Sequence, residues 1–320
     1  MRVVVLGGTR FIGRAIVEEL AATDHQLLLV HRGETEPSDL PKAEHLHVER
    51  AALSSRRADL AAFKPDALVD CRALSRADAR SVLDAAPKDI RLLVLSSMDV
   101  YRAFGAVLNE QETDGVPLDE ESPVRLHRYP YAERMPDYDK LDVEEDFLAA
   151  GATVLRLPMV YGEHDYQRRE EFILRRVRAG RLQIPFGAGT WLPTRGYVRD
   201  VARAVRMALA TPAAAGEVFN IAERRTSTVR LWARRILEAA GFNADLIRVP
   251  DALLPADLRQ TGNMSQHIVA SAAKARLILG WTDSDPVAVL RTTVAWHLAN
   301  PPEEEDPGFD ADDEALAAAE

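Results

Sequence analysis

The stretch "VVVLGGTRFIGRAIVEEL", residues 3–20, runs from an apolar segment through Gly7 and Gly8 into a helical pattern after Gly13. A strand-to-helix junction of this kind presents unpaired backbone N–H groups and the positive end of a helix dipole, the combination that receives a pyrophosphate. Gly7, Thr9, Arg10, Phe11, Ile12 and Gly13 are therefore the expected dinucleotide contacts. Arg10 adds a fixed positive charge to the turn. After the second apolar run, "LLLVHRGE", Arg32 stands near the place where a carboxylate would hydrogen-bond the ribose of NAD, and no acid precedes Glu34. A guanidinium suits a 2′-phosphate instead, so NADP(H) is the expected cofactor, with NAD(H) as the alternative.

Other residues could do chemistry but have plainer readings. His164 and Asp165 are expected to form a local hydrogen-bonded pair. Cys71 is the single cysteine, with no thiolate partner, so it is expected to act as a small buried apolar residue. With no further clustered ligand, no metal site is expected. "QRREEFILRRVRAGR", residues 167–181, carries six arginines, read as the solvated face of an amphipathic helix paired with Glu170 and Glu171. An RNA contact is the sharper alternative, but no aromatic RNA-recognition pattern accompanies it.

The elements that must position these residues are legible as alternation. "RVVVLGG", "QLLLVHRG", "HLHVER", "DALVDC", "RLLVLSS" and "TVLRLPMVYG" are apolar runs separated by helical stretches. Such runs indicate strands buried on both faces, hence an α/β chain with a doubly wound parallel sheet and a ligand crevice at the strands' carboxyl ends. Residues 1–162 are expected to form a dinucleotide-binding Rossmann domain. Residues 163–300 should form a smaller mixed α/β substrate lobe, with some segments returning to the sheet.

Residues 301–320 hold nine of the 50 acidic side chains and no Lys or Arg. The first 300 residues are thus nearly neutral, with 41 acids against 40 bases. The acidic end is expected to be a disordered tail; shielding of a basic surface is the alternative. No apolar run approaches the roughly 18 residues of a spanning helix, and the chain enters a strand at once, so a cytoplasmic protein without membrane contact is expected.

The chain resembles the extended short-chain dehydrogenase/reductase superfamily, the group of NAD(P)-dependent epimerases and dehydratases. The likeness rests on "GGTRFIG", "VLSSMDVY", "DKLDVEE", "LRLPMVYG", "RGYVRDVA", "GEVFNIAE" and "SAAKARLILGW". "GGTRFIG" with "YDK" looks most like a divergent branch that includes the chloroplast stem-loop-binding proteins. The resemblance implies a hydroxyl at Ser97, an acid at Asp99, a lysine at Lys140 that holds the nicotinamide ribose and lowers the pKa of a nearby phenol, and a cofactor contact at Pro158.

Three positions depart from the family pattern. Arg10 replaces the second motif glycine. Pro136 stands where the tyrosine is expected, four residues before Lys140. Tyr138 lies two before Lys140, about 200° around a helix if both are helical. A helix beginning at Pro136 would leave Tyr129 and Tyr131 on the preceding loop. The expected acid/base is therefore Tyr138 or, failing it, Tyr131. Arg195 lies two residues beyond the family's substrate-binding arginine position, occupied here by Pro193, and is expected to bind an anionic substrate.

Together these features imply an NADP(H)-dependent oxidoreductase or epimerase/dehydratase-like enzyme acting on a hydroxyl or keto group of a small, sugar-containing or anionic substrate. The alternative is a cofactor-binding protein with weak redox chemistry, serving as a sensor or RNA-associated protein. A monomer, or a homodimer packed through surface helices, is expected.

Overall fold

The computed structural model describes residues 1–319. Its main sheet is built from β1 (Arg2–Leu6), β2 (Gln26–His31), β3 (Glu44–His47), β4 (Ala67–Asp70), β5 (Arg91–Ser97) and β6 (Thr153–Leu157). After the short β7 (Met159–Tyr161), β8 (Gln183–Phe186) and β9 (Arg195–Tyr197), the chain returns to the sheet as β10 (Val218–Asn220) and then forms β11 (Asp245–Arg248). The seven strands lie in the order β10-β6-β5-β4-β1-β2-β3, and every pairing is parallel. Chain order reverses between β1 and β4, which opens a crevice at their carboxyl ends.

Each apolar run becomes a strand because both of its faces are covered. Val3, Val5, Leu27 and Leu29 pack on one side with Ile16, Val17 and Leu20 of the helix Phe11–Ala21. Val4, Leu28, Leu68 and Val94 pack on the other with Leu60, Val82 and Phe147. β7 pairs with β9 and β8 with β11, so the second lobe carries two small parallel sheets of its own.

The acidic C-terminal segment is a folded part of this lobe, which corrects the expectation of a disordered tail. Asp310–Ala317 is a helix, with Asp312 and Ala315 buried. Its partner is the arginine-rich helix Glu171–Arg178. Arg176, fully buried, grips Asp312 through two bonds of 2.7 and 2.6 Å, and its Nη1 also reaches Asp257 at 2.7 Å. Arg175 pairs with Asp306 and Asp257, and Arg181 with Asp313. The arginine face is therefore covered by acids from the end of the chain, and the charge runs at residues 175–181 and 306–313 compensate each other. No helix among the described residues is long and apolar enough to cross a membrane.

Candidate functional site

β1 delivers the chain to Gly7, whose φ of +78° favours glycine, and whose amide bonds Val30 of β2. Gly13 packs the following helix against this turn so closely that a Cβ there would stand 1.9 Å from the Gly7 carbonyl oxygen. Arg10 takes the N-cap position without a side-chain capping bond, and the first helical turn holds no acid. The amides of that turn have no intrahelical acceptor. A cradle closed by two glycines, with a bare helix N-terminus, fits the pyrophosphate of a dinucleotide. The Arg10 guanidinium does not point along the turn; it lies over the Tyr166 ring, 4.9 Å from its centroid. Tyr166 also meets Phe11 edge-on.

Beside this turn a cavity of about 480 Å³ runs between the sheet and the second lobe. Phe11, Ile12, Ser97, Asp99, Tyr131, Tyr138, Lys140 and Pro158 line it together. Arg32 stands in the loop after β2, half exposed and paired with Glu34 at 2.6 Å.

The Pro136 departure resolves into an early turn rather than an early helix. The helix starts at Lys140, and Asp139 is its N-cap in an extended conformation, φ −154° and ψ 109°. Tyr138 is thus outside the helix, and the 200° separation that would turn it away from Lys140 does not apply. Its hydroxyl donates to Asp99 Oδ2 at 2.6 Å. Tyr131 packs beside it with ring centroids 5.2 Å apart. Tyr129 instead reaches the Asp142 carboxylate and is exposed.

Asp139 holds this turn in place. Its carboxylate accepts from Arg125 Nη2 and Arg128 Nε, both at 2.6 Å, and from the Tyr129 and Leu141 amides. Burial alone would raise its pKa, but the arginine and amide bonds outweigh that and hold it at about 2. Arg125 also donates to the Asp99 carbonyl at 3.1 Å, so one guanidinium ties both sides of the Tyr138–Asp99 pair.

Electrostatics in the cavity differ from the expected lysine-tuned phenol. Burial raises the Tyr138 pKa, and the neighbouring Asp99 raises it further, so this phenol stays protonated. Burial likewise raises Asp99, against the opposing hydrogen bond from Tyr138. Asp99 Oδ1 is buried with no partner among the described residues. The Ser97 Oγ accepts from the Asp99 amide, fixing the short helical turn after β5. Lys140 is buried and donates to the Ala73 and Leu95 carbonyls at 2.6 and 2.9 Å, and burial lowers its pKa. It is the carboxylate of Asp99, rather than Lys140, that contacts the phenol.

Two further expectations are corrected. Arg195 turns into the interior of the second lobe. Its guanidinium lies over Trp232 at 4.4 Å and donates to the Pro193 and Ser227 carbonyls. Burial lowers its pKa to about 10, opposed by the charges of Glu223 and Glu170, so it is an internal counter-charge rather than a cavity group. The cavity's arginine is Arg169, fixed by bonds to the Val160 carbonyl at 2.8 Å and to Gln167. The second correction concerns His164 and Asp165, which do not pair. His164 stacks near Trp296, while buried Asp165 accepts from the Gln167 and Arg169 amides. Asp165 thereby positions Arg169. Trp191 and Gln167 complete the lobe's side of the cavity, and nothing in their local sequence marks them.

The NAD dependent epimerase/dehydratase family matches residues 3–222. The chloroplast stem-loop binding protein of 41 kDa b of Arabidopsis thaliana is 27% identical over 88% of this chain and 74% of its own. The 2'-dehydrokanamycin reductase of Streptomyces kanamyceticus is 28% identical over 78% of this chain and 70% of its own. Among solved structures, UDP-glucose 4-epimerase from Thermotoga maritima with UDP-glucose superposes with a TM-score of 0.70 at 20% identity, covering 92% of this chain and 98% of that one.

Proposed function

Because this chain belongs to the NAD dependent epimerase/dehydratase family, and is an enzyme of the epimerase, dehydratase or reductase kind with a nicotinamide cofactor, we propose that it uses NADP(H) to oxidise or reduce a hydroxyl or keto carbon of a small sugar-containing substrate. The observation that carries this reading is the 2.6 Å bond from Tyr138 to Asp99 on the wall of a cavity that also holds Lys140. The cofactor, when bound, supplies or accepts the hydride.

The chain's own residues handle the proton. Tyr138 is kept as a phenol, so it does not wait as a tyrosinate. As a substrate hydroxyl loses its proton to the Tyr138 oxygen, the phenol proton passes to Asp99 Oδ2. In the reducing direction the same two protons move back, and Tyr138 protonates the new alkoxide. Gly7 to Gly13 would hold the pyrophosphate, with Phe11 and Ile12 facing the cavity. Lys140 would hold the nicotinamide ribose and Pro158 would border the ring. Arg169, rather than Arg195, would meet an anionic group of the substrate. The reductase and the sugar-nucleotide epimerase among the similar proteins support this substrate class.

NADP(H) preference rests on the exposed Arg32 guanidinium at the end of β2, where no acid competes before Glu34. The test is a screen of keto sugars and sugar alcohols against NADPH, NADH and their oxidised forms, read by nicotinamide absorbance. Turnover lost in Tyr138→Phe is the expected result; failure of the intact chain to bind either cofactor overturns the reading. Arg32→Asp should invert the ratio of the NADPH and NADH dissociation constants, and equal constants in the parent would remove the NADP(H) preference.

An RNA-associated role is favoured by the name of the Arabidopsis relative. The arginine helix gives it little to rest on, because Arg175, Arg176, Arg178 and Arg181 are all paired with carboxylates. A salt-dependent RNA affinity that survives charge reversal of Arg168 and Arg169 would show that another surface carries it.

A further inference from the structure

Three histidines and a glutamate that take no part in the cavity gather at the far edge of the main sheet. His31 ends β2, and the parallel register sets His47 of β3 beside it. His45, two residues before His47, projects to the same face of β3. Glu36 comes from the loop after β2. His31 Nε2 lies 2.8 Å from His45 Nδ1 and 3.5 Å from Glu36 Oε1. That same oxygen lies 3.6 Å from His45 Nδ1 and is hydrogen-bonded to His47 Nε2. One donor atom from each of the four residues fits within a span of 4.8 Å. The three rings meet edge-on, with centroids 4.9 to 6.1 Å apart, so their nitrogens converge instead of their faces stacking.

We propose that His31, His45, His47 and Glu36 form a binding site for a divalent transition-metal ion, with zinc the ion that their donor set suits. Three imidazole nitrogens and one carboxylate oxygen match the ligands and the four-coordinate number of zinc. Bonds of about 2.0–2.1 Å in a tetrahedron separate neighbouring ligand atoms by about 3.3 Å. The two Glu36 spacings of 3.5 and 3.6 Å are close to that value, the His31–His45 spacing of 2.8 Å must open by about half an ångström, and the still shorter Glu36–His47 contact must open further. The side chains that have to move are free to do so, since His45 and His47 are exposed.

The ordinary alternative is a hydrogen-bonded histidine cluster that solvates a glutamate. Packing does not require it: two of the three rings lie on the surface of an edge strand, where any polar residue would serve. Convergence of four donors from three chain segments is what a ligand set needs and what a solvated surface does not. The site also has a definite mechanical consequence. The Gly33 amide donates to His31 Nδ1 at 3.1 Å, so the neutral ring carries its proton on Nε2. A metal at Nε2 moves that proton to Nδ1 and expels the Gly33 amide, so the loop from Arg32 to Glu36 must rearrange around the ion. The ion would then tie β3 and this loop to β2.

The test uses the full chain without an affinity tag, stripped with chelator and dialysed, and titrated with Zn²⁺ by calorimetry and with Co²⁺ by absorption. One Zn²⁺ per chain and the intense visible bands of four-coordinate Co²⁺ are expected. His45→Ala and His47→Ala should each weaken Zn²⁺ binding by more than the roughly 10–100-fold lost with an outer-shell partner. Their circular dichroism should be unchanged, because the residues are exposed. Glu34→Gln, outside the donor set, should bind as the parent does. Absence of Zn²⁺ binding, or an unchanged affinity in the double variant His45→Ala/His47→Ala, overturns the proposal.

Discussion

The Tyr138 hydroxyl donates to Asp99 Oδ2 at 2.6 Å, and the second oxygen of that carboxylate is buried without a partner among the described residues. The pair therefore contains both a proton to give and an oxygen to receive one. Replacing Tyr138 by Phe removes the group proposed to meet the substrate and leaves Asp99 short of a second bond. The rate of hydride transfer should fall by about 10²–10⁴-fold, the usual contribution of a positioned acid/base. Asp99→Asn should reduce the rate too, while cofactor affinity stays near that of the parent. Stopped-flow absorbance for the rate and fluorescence titration with NADPH for the affinity separate the two effects. A parental rate in Tyr138→Phe would assign the proton transfer to Tyr131.

Gly13 offers a sharper test of the cofactor cradle. Its Cβ would stand 1.9 Å from the Gly7 carbonyl, and that neighbour is backbone rather than a flexible side chain. Gly13→Ala must therefore push the helix away from the turn. NADPH binding should be lost, and stability should drop by at least the 1–3 kcal/mol, roughly, that overpacking costs. Urea unfolding with and without NADPH measures both. Retained affinity would mean that the pyrophosphate does not sit on this turn.

The sequence carries the main sheet and the glycine turn because both are local patterns: apolar runs of strand length and glycines at a strand-to-helix junction. It carries Tyr138 less well. Helical spacing from Lys140 sends that side chain to the wrong face, and the geometry depends on Asp139, whose partners Arg125 and Arg128 come from a loop more than ten residues away. Arg195 misleads for a related reason. Alternation along a strand gives its face but not whether that face looks into the cavity or onto Trp232. The C-terminal acids look like a solvated tail until their partners, about 130 residues earlier, are brought against them. "HLH" and the histidine of the neighbouring strand are visible in sequence, but only the parallel register sets His31 beside His47.

Asp139 predicts an acid limb in the stability curve. Its folded pKa, about 2, lies below the ordinary value of 3.8. A depressed pKa contributes stability that is fully present above the unfolded value and is lost as pH falls through the folded one. The loss should thus run from about pH 4 down to about pH 2. Asp139→Asn should be less stable at neutral pH and should show a shallower decline across that window. Thermal unfolding at a series of pH values checks this. The same variant should lower kcat more than it raises KM, because Asp139 positions Tyr138 without touching the cavity contents. Parallel acid limbs in parent and variant would remove Asp139 from the account.

Arg176 and Asp312 form a pair in which both side chains are at most 1% exposed. Replacing Asp312 by Asn removes the carboxylate charge and one of its two acceptor oxygens while Asp257 stays as a counter-ion to Arg176, a loss of about 1–3 kcal/mol for a buried charged hydrogen bond. Asp312→Asn should therefore destabilise, whereas Glu303→Gln, exposed and without an ion-pair partner in the described residues, should leave stability within about 0.5 kcal/mol. Deleting residues 302–320 should cost at least as much as Asp312→Asn, because it strips carboxylates from Arg175, Arg176 and Arg181 together. The uncovered face should also gain a salt-dependent affinity for polyanions such as heparin, falling as salt rises. Arg176→Met in the shortened chain distinguishes the buried charge from lost packing: it should restore part of the stability, since an apolar side chain of similar length no longer needs a counter-ion. Urea midpoints for the parent and the four variants settle the matter, and a shortened chain as stable as the parent would show that the acidic helix is not held by the arginine face.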